Sequence, residues 1–110
     1  MKLHKATRIS IIAEKLLHDG VCRIIMESGA KGYSVFDGGG GMGSHGCHSP
    51  HAPAHAPAVV GDFAIVKIES VVAKREVAEE IAAKVADVYF SRYSGIVYLE
   101  DVDVLRPEKF

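Results

Sequence analysis

Hydrophobic and polar residues follow two different periods in the first quarter of the chain. They alternate over residues 7–13, which predicts a β-strand. The next positions recur at the spacing of one helix face; they are Leu17, Val21, Ile24, Ile25 and Ser28. Gly29 stands where a left-handed C-terminal cap is expected. Gly20 weakens the helix interior and leaves its start open, with Asp19 as the cap of a shorter version.

The rest of the chain predicts three further strands and a second helix. Strands are expected over residues 31–36 and 62–72, and a helix over residues 74–90 with an apolar stripe. A fourth strand opens at Ile96 and fades by Leu105. The order strand, helix, strand, strand, helix, strand predicts a ferredoxin-like βαββαβ fold of the α+β class. We expect one domain over residues 1–110, with a four-stranded antiparallel sheet and both helices on one face.

Strands three and four carry apolar residues on both faces. Val66 and Ile68 alternate with Ile65 and Val71, and residues 96–99 are apolar without a break. A strand that is apolar on both faces is buried on both faces. Since the helices cover one face, the other predicts contact with a further copy of the chain in a closed oligomer.

Residues 37–61 differ in composition from the rest of the chain. Four consecutive glycines and three of the four prolines fall in this segment, which has almost no aliphatic bulk. Such a stretch buries too little apolar area to offset its ordering entropy, so we expect a mobile loop. A long loop inside a compact domain is usually functional.

Composition and charge exclude several classes of protein. The formal net charge is −1 and no basic stripe is present, which argues against nucleic-acid binding. Apolar runs reach about four residues, whereas a membrane-spanning helix needs about 20. Cys22 and Cys47 are too few for a disulfide framework. The predicted location is therefore the cytoplasm, without membrane insertion.

No pattern in the sequence is typical of an active site. The glutamates Glu14, Glu69, Glu79 and Glu80 form no recognisable acid–base pair, and no serine lies in a nucleophile elbow. No Walker-type lysine follows the glycines. The sequence predicts a binding protein rather than an enzyme, and we expect that the protein requires no cofactor for that role.

Four histidines and a cysteine occupy eleven residues of the long loop. They are His45, Cys47, His48, His51 and His55. Imidazole and thiolate at such spacings can bind Zn²⁺, copper or Ni²⁺. Adventitious metal affinity and a pH response of the loop are alternative interpretations. The metal site is the less favoured hypothesis, because the candidate ligands lie among Gly, Pro and Ala.

Three motifs resemble the PII-like signalling proteins. They are Gly29-Ala30-Lys31-Gly32-Tyr33-Ser34-Val35, the strand-to-helix entry Ile11-Ile12-Ala13-Glu14-Lys15, and the turn and strand Tyr93-Ser94-Gly95-Ile96-Val97-Tyr98. Their order is similar to that in the carboxysome-associated PII-like (CPII) proteins and the SbtB branch. The long loop lies at the position of the family's T-loop, and residues 93–96 lie at its B-loop.

The resemblance implies a homotrimer with adenine nucleotides, ADP or AMP, in the clefts between subunits. It also implies bicarbonate as a ligand, and a protein target in inorganic-carbon metabolism, a bicarbonate transporter or a carboxysome-related protein, reached through the T-loop. The residues carried over by position as nucleotide-binding are Gly32, Ser34, Val35, Phe36, Glu69, Val71, Arg92, Tyr93, Ser94, Gly95, Ile96 and Arg106. Those carried over as anion- or bicarbonate-binding are Gly38, Gly39, Gly40 and Gly41.

The four glycines also have a physical reason to bind an anion. Glycine lets the backbone approach a phosphate closely and present several amides together. The same nest suits bicarbonate, a planar anion with three acceptor oxygens. A flexible linker is the alternative interpretation.

The chain departs from the family pattern in its charges. Residues 37–61 contain no Lys or Arg, and Ile96 stands where classical PII proteins have a B-loop lysine. Monophosphate or diphosphate ligands are therefore favoured over triphosphate, with Arg92 and Arg106 as the available cations. Two alternatives remain: a CutA-like metal-binding trimer that uses the histidine-rich loop, and a hydrolytic enzyme that uses Ser34 and Glu69 in the intersubunit cleft.

Overall fold

The computed structural model describes residues 1–38, 64–106 and 108. The elements in chain order are β1 (His4–Glu14), a 3₁₀ turn (Lys15–Leu17), α1 (His18–Glu27), β2 (Ser34–Gly38), β3 (Ile65–Val72), α2 (Arg75–Val88) and β4 (Gly95–Val104). This order confirms the predicted sequence of strands and helices. The segment 39–63, with most of the predicted T-loop, lies outside the described residues.

The four strands form one antiparallel sheet in the order β2-β3-β1-β4. β1, one of the two central strands, pairs with β3 through Ser10 opposite Glu69, and with β4 through Ser10 opposite Tyr98. On the other side of β3, Ser34 of β2 lies opposite Glu69. The predicted ferredoxin-like topology is therefore confirmed, and β2 and β4 are the two edge strands.

The core lies between one face of the sheet and the two helices. Ile9, Ile11 and Ile68 on the sheet and Ile25 and Ile81 on the helices are all fully buried. These side chains belong to a single hydrophobic cluster. Because alternate residues of a strand point to opposite faces, the odd positions of β1 and the even positions of β3 face the helices.

The opposite face of the sheet carries apolar side chains that no described element covers. Ile12 of β1 lies opposite Ile96 of β4, and both point away from the helices. Ile96 is 55% exposed and Phe36 of β2 is 51% exposed. We call this surface, formed by Phe36, Ile12, Ile65, Val71, Ile96 and Tyr98, the open sheet face.

Two glycines of the α1 region have structural explanations, one in the backbone conformation at the end of the helix and one in a tertiary contact. Gly29 has φ +104°, as the predicted left-handed cap requires. The helix begins at His18 and places Asp19 in its first turn. Gly20 lies inside the helix, and a Cβ there would overlap the hydroxyl of Tyr89. Packing of Tyr89 against α1 therefore explains a glycine that helix propensity alone disfavours.

Several strand boundaries differ from the sequence-based prediction. β2 ends at Gly38 rather than at residue 36, so Asp37 and Gly38 belong to β2 and not to the predicted loop. β3 begins at Ile65 rather than at residue 62.

β1 begins at His4 rather than at residue 7, because His4, Lys5 and Ala6 pair with the end of β4. β2 begins at Ser34 rather than at residue 31, since its pairing with β3 begins there. Among the described residues, no helix is long and apolar enough to cross a membrane.

Candidate functional site

An open cleft of about 360 Å³ lies where β2 begins and β3 ends. The residues that line it are Gly32, Tyr33, Ser34, Glu69, Ser70, Val71, Val104 and Arg106. Five of these are sequence-predicted nucleotide-binding residues: Gly32, Ser34, Glu69, Val71 and Arg106. The volume is at the small end of the range for ligand pockets, as expected of a site with one open wall.

Ser70 fixes the backbone on one side of this cleft. Its hydroxyl donates to the carbonyl oxygen of Gly32 over 2.6 Å, and the residue is only 3% exposed. The bond joins the end of β3 to the chain just before β2, and so sets the position of Tyr33 and Ser34 at the cleft. Ser70 is a cleft residue that was not predicted from the sequence. A signal was present, because a serine at a buried strand position needs a hydrogen-bond partner.

The cleft presents one carboxylate and one guanidinium. The Glu69 side chain is 20% exposed, and its Oε2 lies 3.5 Å from Nζ of Lys67. Arg106 contacts Glu108 through Nε over 3.4 Å and is mostly exposed. A carboxylate accepts hydrogen bonds from hydroxyl or amino groups, while a guanidinium donates to phosphate oxygens. The cleft therefore suits a ligand with sugar hydroxyls and a small number of negative charges.

Tyr33 is held at the cleft by a residue of α1. Its hydrogen bond with Cys22 raises the pKa of the Tyr33 hydroxyl, and burial raises the pKa of the Cys22 thiol. Both groups therefore stay protonated near neutral pH. The Cys22 sulfur also lies 3.7 Å from Nε2 of His18, whose Nδ1 is 2.7 Å from Oδ1 of Asp19. A protonated, buried thiol is inert, so this cluster anchors Tyr33 rather than supplying a nucleophile.

The predicted B-loop residues form a tight turn before β4. The backbone N–H of Ser94 donates to Oε2 of Glu14 over 2.9 Å. The N–H of Tyr93 donates to the carbonyl of Tyr89 over 2.9 Å, and the two tyrosine rings meet edge to face. A Cβ at Gly95 would lie 2.9 Å from the Ile12 carbonyl oxygen, too close for any other residue.

The cleft and the turn lie at opposite ends of the sheet. The cleft lies where β2 begins and where β3 and β4 end, whereas the turn precedes the start of β4. The ten residues of β4 lie between the turn and Val104 of the cleft, roughly 30 Å at the rise of a β-strand. Arg92, Tyr93, Ser94, Gly95 and Ile96 are therefore not brought together with the cleft in one protomer.

The remaining predicted site residues lie elsewhere on β2 or beyond it. Phe36 points to the open sheet face, whereas Val35 lies opposite Ile68 and faces the helices. Gly38 ends β2. Gly39, Gly40 and Gly41 lie outside the described residues, as do the alternative metal ligands His45, Cys47, His48, His51 and His55. Within ranges 1–38 and 64–106, no three His, Cys, Asp or Glu side chains are arranged to hold a metal ion.

The sequence matches the family described as nitrogen regulatory protein P-II over residues 6–109. The chain belongs to the P-II family. This confirms the resemblance that the three motifs indicated. As a P-II protein the chain is a member of a family of regulatory proteins, and its cleft and turn can be compared with those of solved relatives.

Solved structures of PII-like proteins match this P-II chain over nearly its whole length. A protein from Thermus thermophilus described as PII-like is 31% identical, with a TM-score of 0.77, over 100% of this chain and 99% of that one. CPII from Thiomonas intermedia K12, bound to ADP, AMP and bicarbonate, is 28% identical, with a TM-score of 0.78, over 99% of this chain and 96% of that one.

A more distant solved structure shares the fold. The B. subtilis GlnK–ATP complex is 15% identical, with a TM-score of 0.57, over 89% of this chain and 82% of that one. At this identity the match shows the shared fold alone.

Proposed function

We propose that this P-II protein is a trimeric regulatory sensor that binds ADP or AMP in clefts between subunits, with bicarbonate as a second ligand. The observation that carries the proposal is the cleft at the start of β2, because Gly32, Ser34, Glu69, Val71 and Arg106 line it together. Sugar hydroxyls would meet Glu69, and a phosphate would meet Arg106.

A second subunit supplies the missing wall of the site. The turn at residues 92–95 lies at the opposite end of the sheet from the cleft. In a closed ring, the end of the sheet that holds the turn would reach the cleft of the neighbouring protomer, so the turn would complete that neighbour's cleft. Packing of the open sheet faces in the middle of the ring would also remove Ile12, Ile96 and Tyr98 from water.

Two considerations favour a nucleoside monophosphate or diphosphate. The predicted T-loop, residues 37–61, contains no Lys or Arg, and the cleft itself holds one guanidinium, that of Arg106. A triphosphate would be poorly neutralised by this set of charges. CPII from Thiomonas intermedia, 28% identical, is described as bound to ADP, AMP and bicarbonate, which supports the same ligands here.

The signal would pass through the T-loop to a protein target in the cytoplasm. Gly38 ends β2 at the end of the sheet where β4 begins. A ligand held between the cleft of one subunit and the turn of its neighbour would therefore meet the base of that neighbour's loop. We propose that ligand binding orders residues 37–61 and so changes the surface offered to a bicarbonate transporter or a carboxysome-related protein. The ligand shifts this equilibrium only as far as it prefers the ordered state.

Calorimetry on the intact protein tests the proposal. ADP and AMP are titrated with and without bicarbonate, and ATP is the comparison ligand. We expect one ADP or AMP per chain, ATP at least fivefold weaker, and light scattering at the mass of a trimer. A monomer in solution, or no heat with any adenine nucleotide, would contradict the proposal.

A further inference from the structure

The end of β1 contacts both segments that the proposed function assigns to the ligand. Glu14 is the last residue of β1, and Lys15 begins the 3₁₀ turn that follows. Glu14 accepts a hydrogen bond from the turn before β4. Lys15 contacts the chain on both sides of residues 39–63. Two adjacent residues thus link the B-loop to the base of the T-loop.

The contact made by Glu14 is a charge-assisted hydrogen bond. Its Oε2 lies 2.9 Å from the backbone nitrogen of Ser94, and the pair is partly buried. Hydrogen bonds from a backbone N–H to a carboxylate are about twice as strong as those between neutral groups. Glu14 belongs to β1, a central strand of the sheet, whose pairing with β3 and β4 fixes the Glu14 backbone. The carboxylate therefore offers the turn an acceptor at a fixed position.

The other contacts of the turn restrain its ends. Tyr89 accepts from the N–H groups of Arg92 and Tyr93, which joins the turn to the end of α2. Gly95 lies against the Phe90 ring and starts the pairing of β4 with Ala13. Glu14, on β1, contacts Ser94, which lies between these two ends of the turn. It fixes the part of the turn that would face a neighbouring subunit.

Lys15 makes the corresponding contacts at the base of the T-loop. Its backbone N–H donates to the carbonyl of Ala64 over 2.9 Å. Its Nζ lies 3.3 Å from Oδ1 of Asp37, an exposed pair. The backbone bond sets the start of the chain that leads into β3, while the exposed ion pair adds little energy. The base of the T-loop and the turn before β4 are thus both held by residues at the end of β1, Lys15 and Glu14 respectively.

We propose that Glu14 is a positioning residue for nucleotide binding: its carboxylate holds the Ser94 N–H and keeps the turn at residues 92–95 in the conformation that completes the neighbouring cleft. The inference rests on the proposed function. A ligand whose binding conformation is only partly populated binds more weakly by that fraction. Loss of the carboxylate therefore lowers affinity without removing any group that touches the ligand.

Three substitutions of Glu14 separate the effect of side-chain length from the effect of side-chain charge. Glu14→Ala removes the acceptor, Glu14→Gln keeps an acceptor oxygen at the same distance, and Glu14→Asp keeps the charge but is one methylene too short. We expect three- to tenfold weaker ADP binding, an order-of-magnitude range, for the Ala and Asp variants. Glu14→Gln should stay within about twofold of the unaltered protein. Glu27→Ala, at the exposed end of α1, is the matched control.

Amide hydrogen exchange at Ser94 gives a readout that is independent of binding. Exchange should accelerate in the Ala and Asp variants and stay slow in the Gln variant, with all proteins keeping the same circular dichroism and oligomeric mass. Unchanged Ser94 exchange or unchanged ADP affinity in Glu14→Ala would overturn the inference alone. Absence of ADP binding by the unaltered protein would instead overturn the proposed function, and the inference with it.

Discussion

At the scale of single residues, the cleft is shaped by polar side chains that stay hidden from solvent. The Ser70 hydroxyl of β3 donates a hydrogen bond to the Gly32 carbonyl, and the Cys22 thiol of α1 shares a hydrogen bond with the Tyr33 hydroxyl. Both anchors act on the stretch 32–34, which lines the cleft. The backbone of the proposed ligand site is therefore positioned by these two contacts, and substitution of Ser70 or Cys22 should alter the affinity for the ligand.

Substitution of Ser70 by alanine tests this anchoring. The change leaves the buried Gly32 carbonyl without its donor, which should lower the free energy of unfolding by about 1–3 kcal/mol and weaken ADP binding. Urea denaturation and calorimetry measure the two effects. Ser10→Ala is the matched control, because its equally buried hydroxyl has no hydrogen-bond partner among the described residues. Equal effects of the two substitutions would show that the bond to Gly32 is unimportant.

The sequence predicted five of the eight residues that line this cleft and missed three, two of them for a physical reason. Ser34 lies inside the motif at residues 29–35, and Glu69 was carried over by its position in the chain, so family resemblance was enough to find both. Tyr33 and Ser70 act through partners that are distant in sequence, Cys22 and Gly32. Such contacts exist only after β2 is placed beside β3, and no local pattern contains them.

At the scale of elements, hydrophobic periodicity predicted every strand and helix, while pairing decided where the strands begin. The alternation at residues 7–13 marks only the part of β1 that faces the core. His4, Lys5 and Ala6 join the strand because β4 extends alongside them. The helices were easier to predict, since the spacing of their apolar residues and the cap at Gly29 are visible within a short stretch of sequence.

The packing of α2 against α1 predicts an unusual effect at Gly20. In an exposed helix, Gly→Ala gains about 1 kcal/mol of stability. Here the added methyl overlaps the Tyr89 hydroxyl, so Gly20→Ala should instead lower stability by about 1–3 kcal/mol. Thermal unfolding of Gly20→Ala in the unaltered and Tyr89→Ala backgrounds measures the coupling. If Gly20→Ala also destabilises the Tyr89→Ala protein, the overlap is not the cause.

At the scale of the whole molecule, the open sheet face accounts for apolar residues that the single chain leaves uncovered. Both faces of β3 and β4 were predicted to be buried, yet the helices cover only one. Ile96 is 55% exposed and lies on the open sheet face, at the start of β4. A trimer would cover it.

Substitution of Ile96 by glutamate tests this interface. A charge in a dry interface is costly to bury, so Ile96→Glu should dissociate the proposed trimer while the protomer keeps its fold. Sedimentation velocity measures mass, and circular dichroism reports the fold. Met26→Glu, a 45% exposed apolar position on α1, is the control and should leave the mass unchanged. A stable trimer of the Ile96→Glu protein would place the interface elsewhere.

The position of the cleft and the turn at opposite ends of the sheet has a genetic consequence. Each protomer of the proposed trimer would contribute to two sites, one through its cleft and one through its turn. Two defective alleles, one damaged at the cleft and the other at the turn, could then rescue each other. Every mixed trimer contains one junction at which an intact cleft meets an intact turn. Co-expression would therefore restore one working site per trimer, which neither allele can form alone.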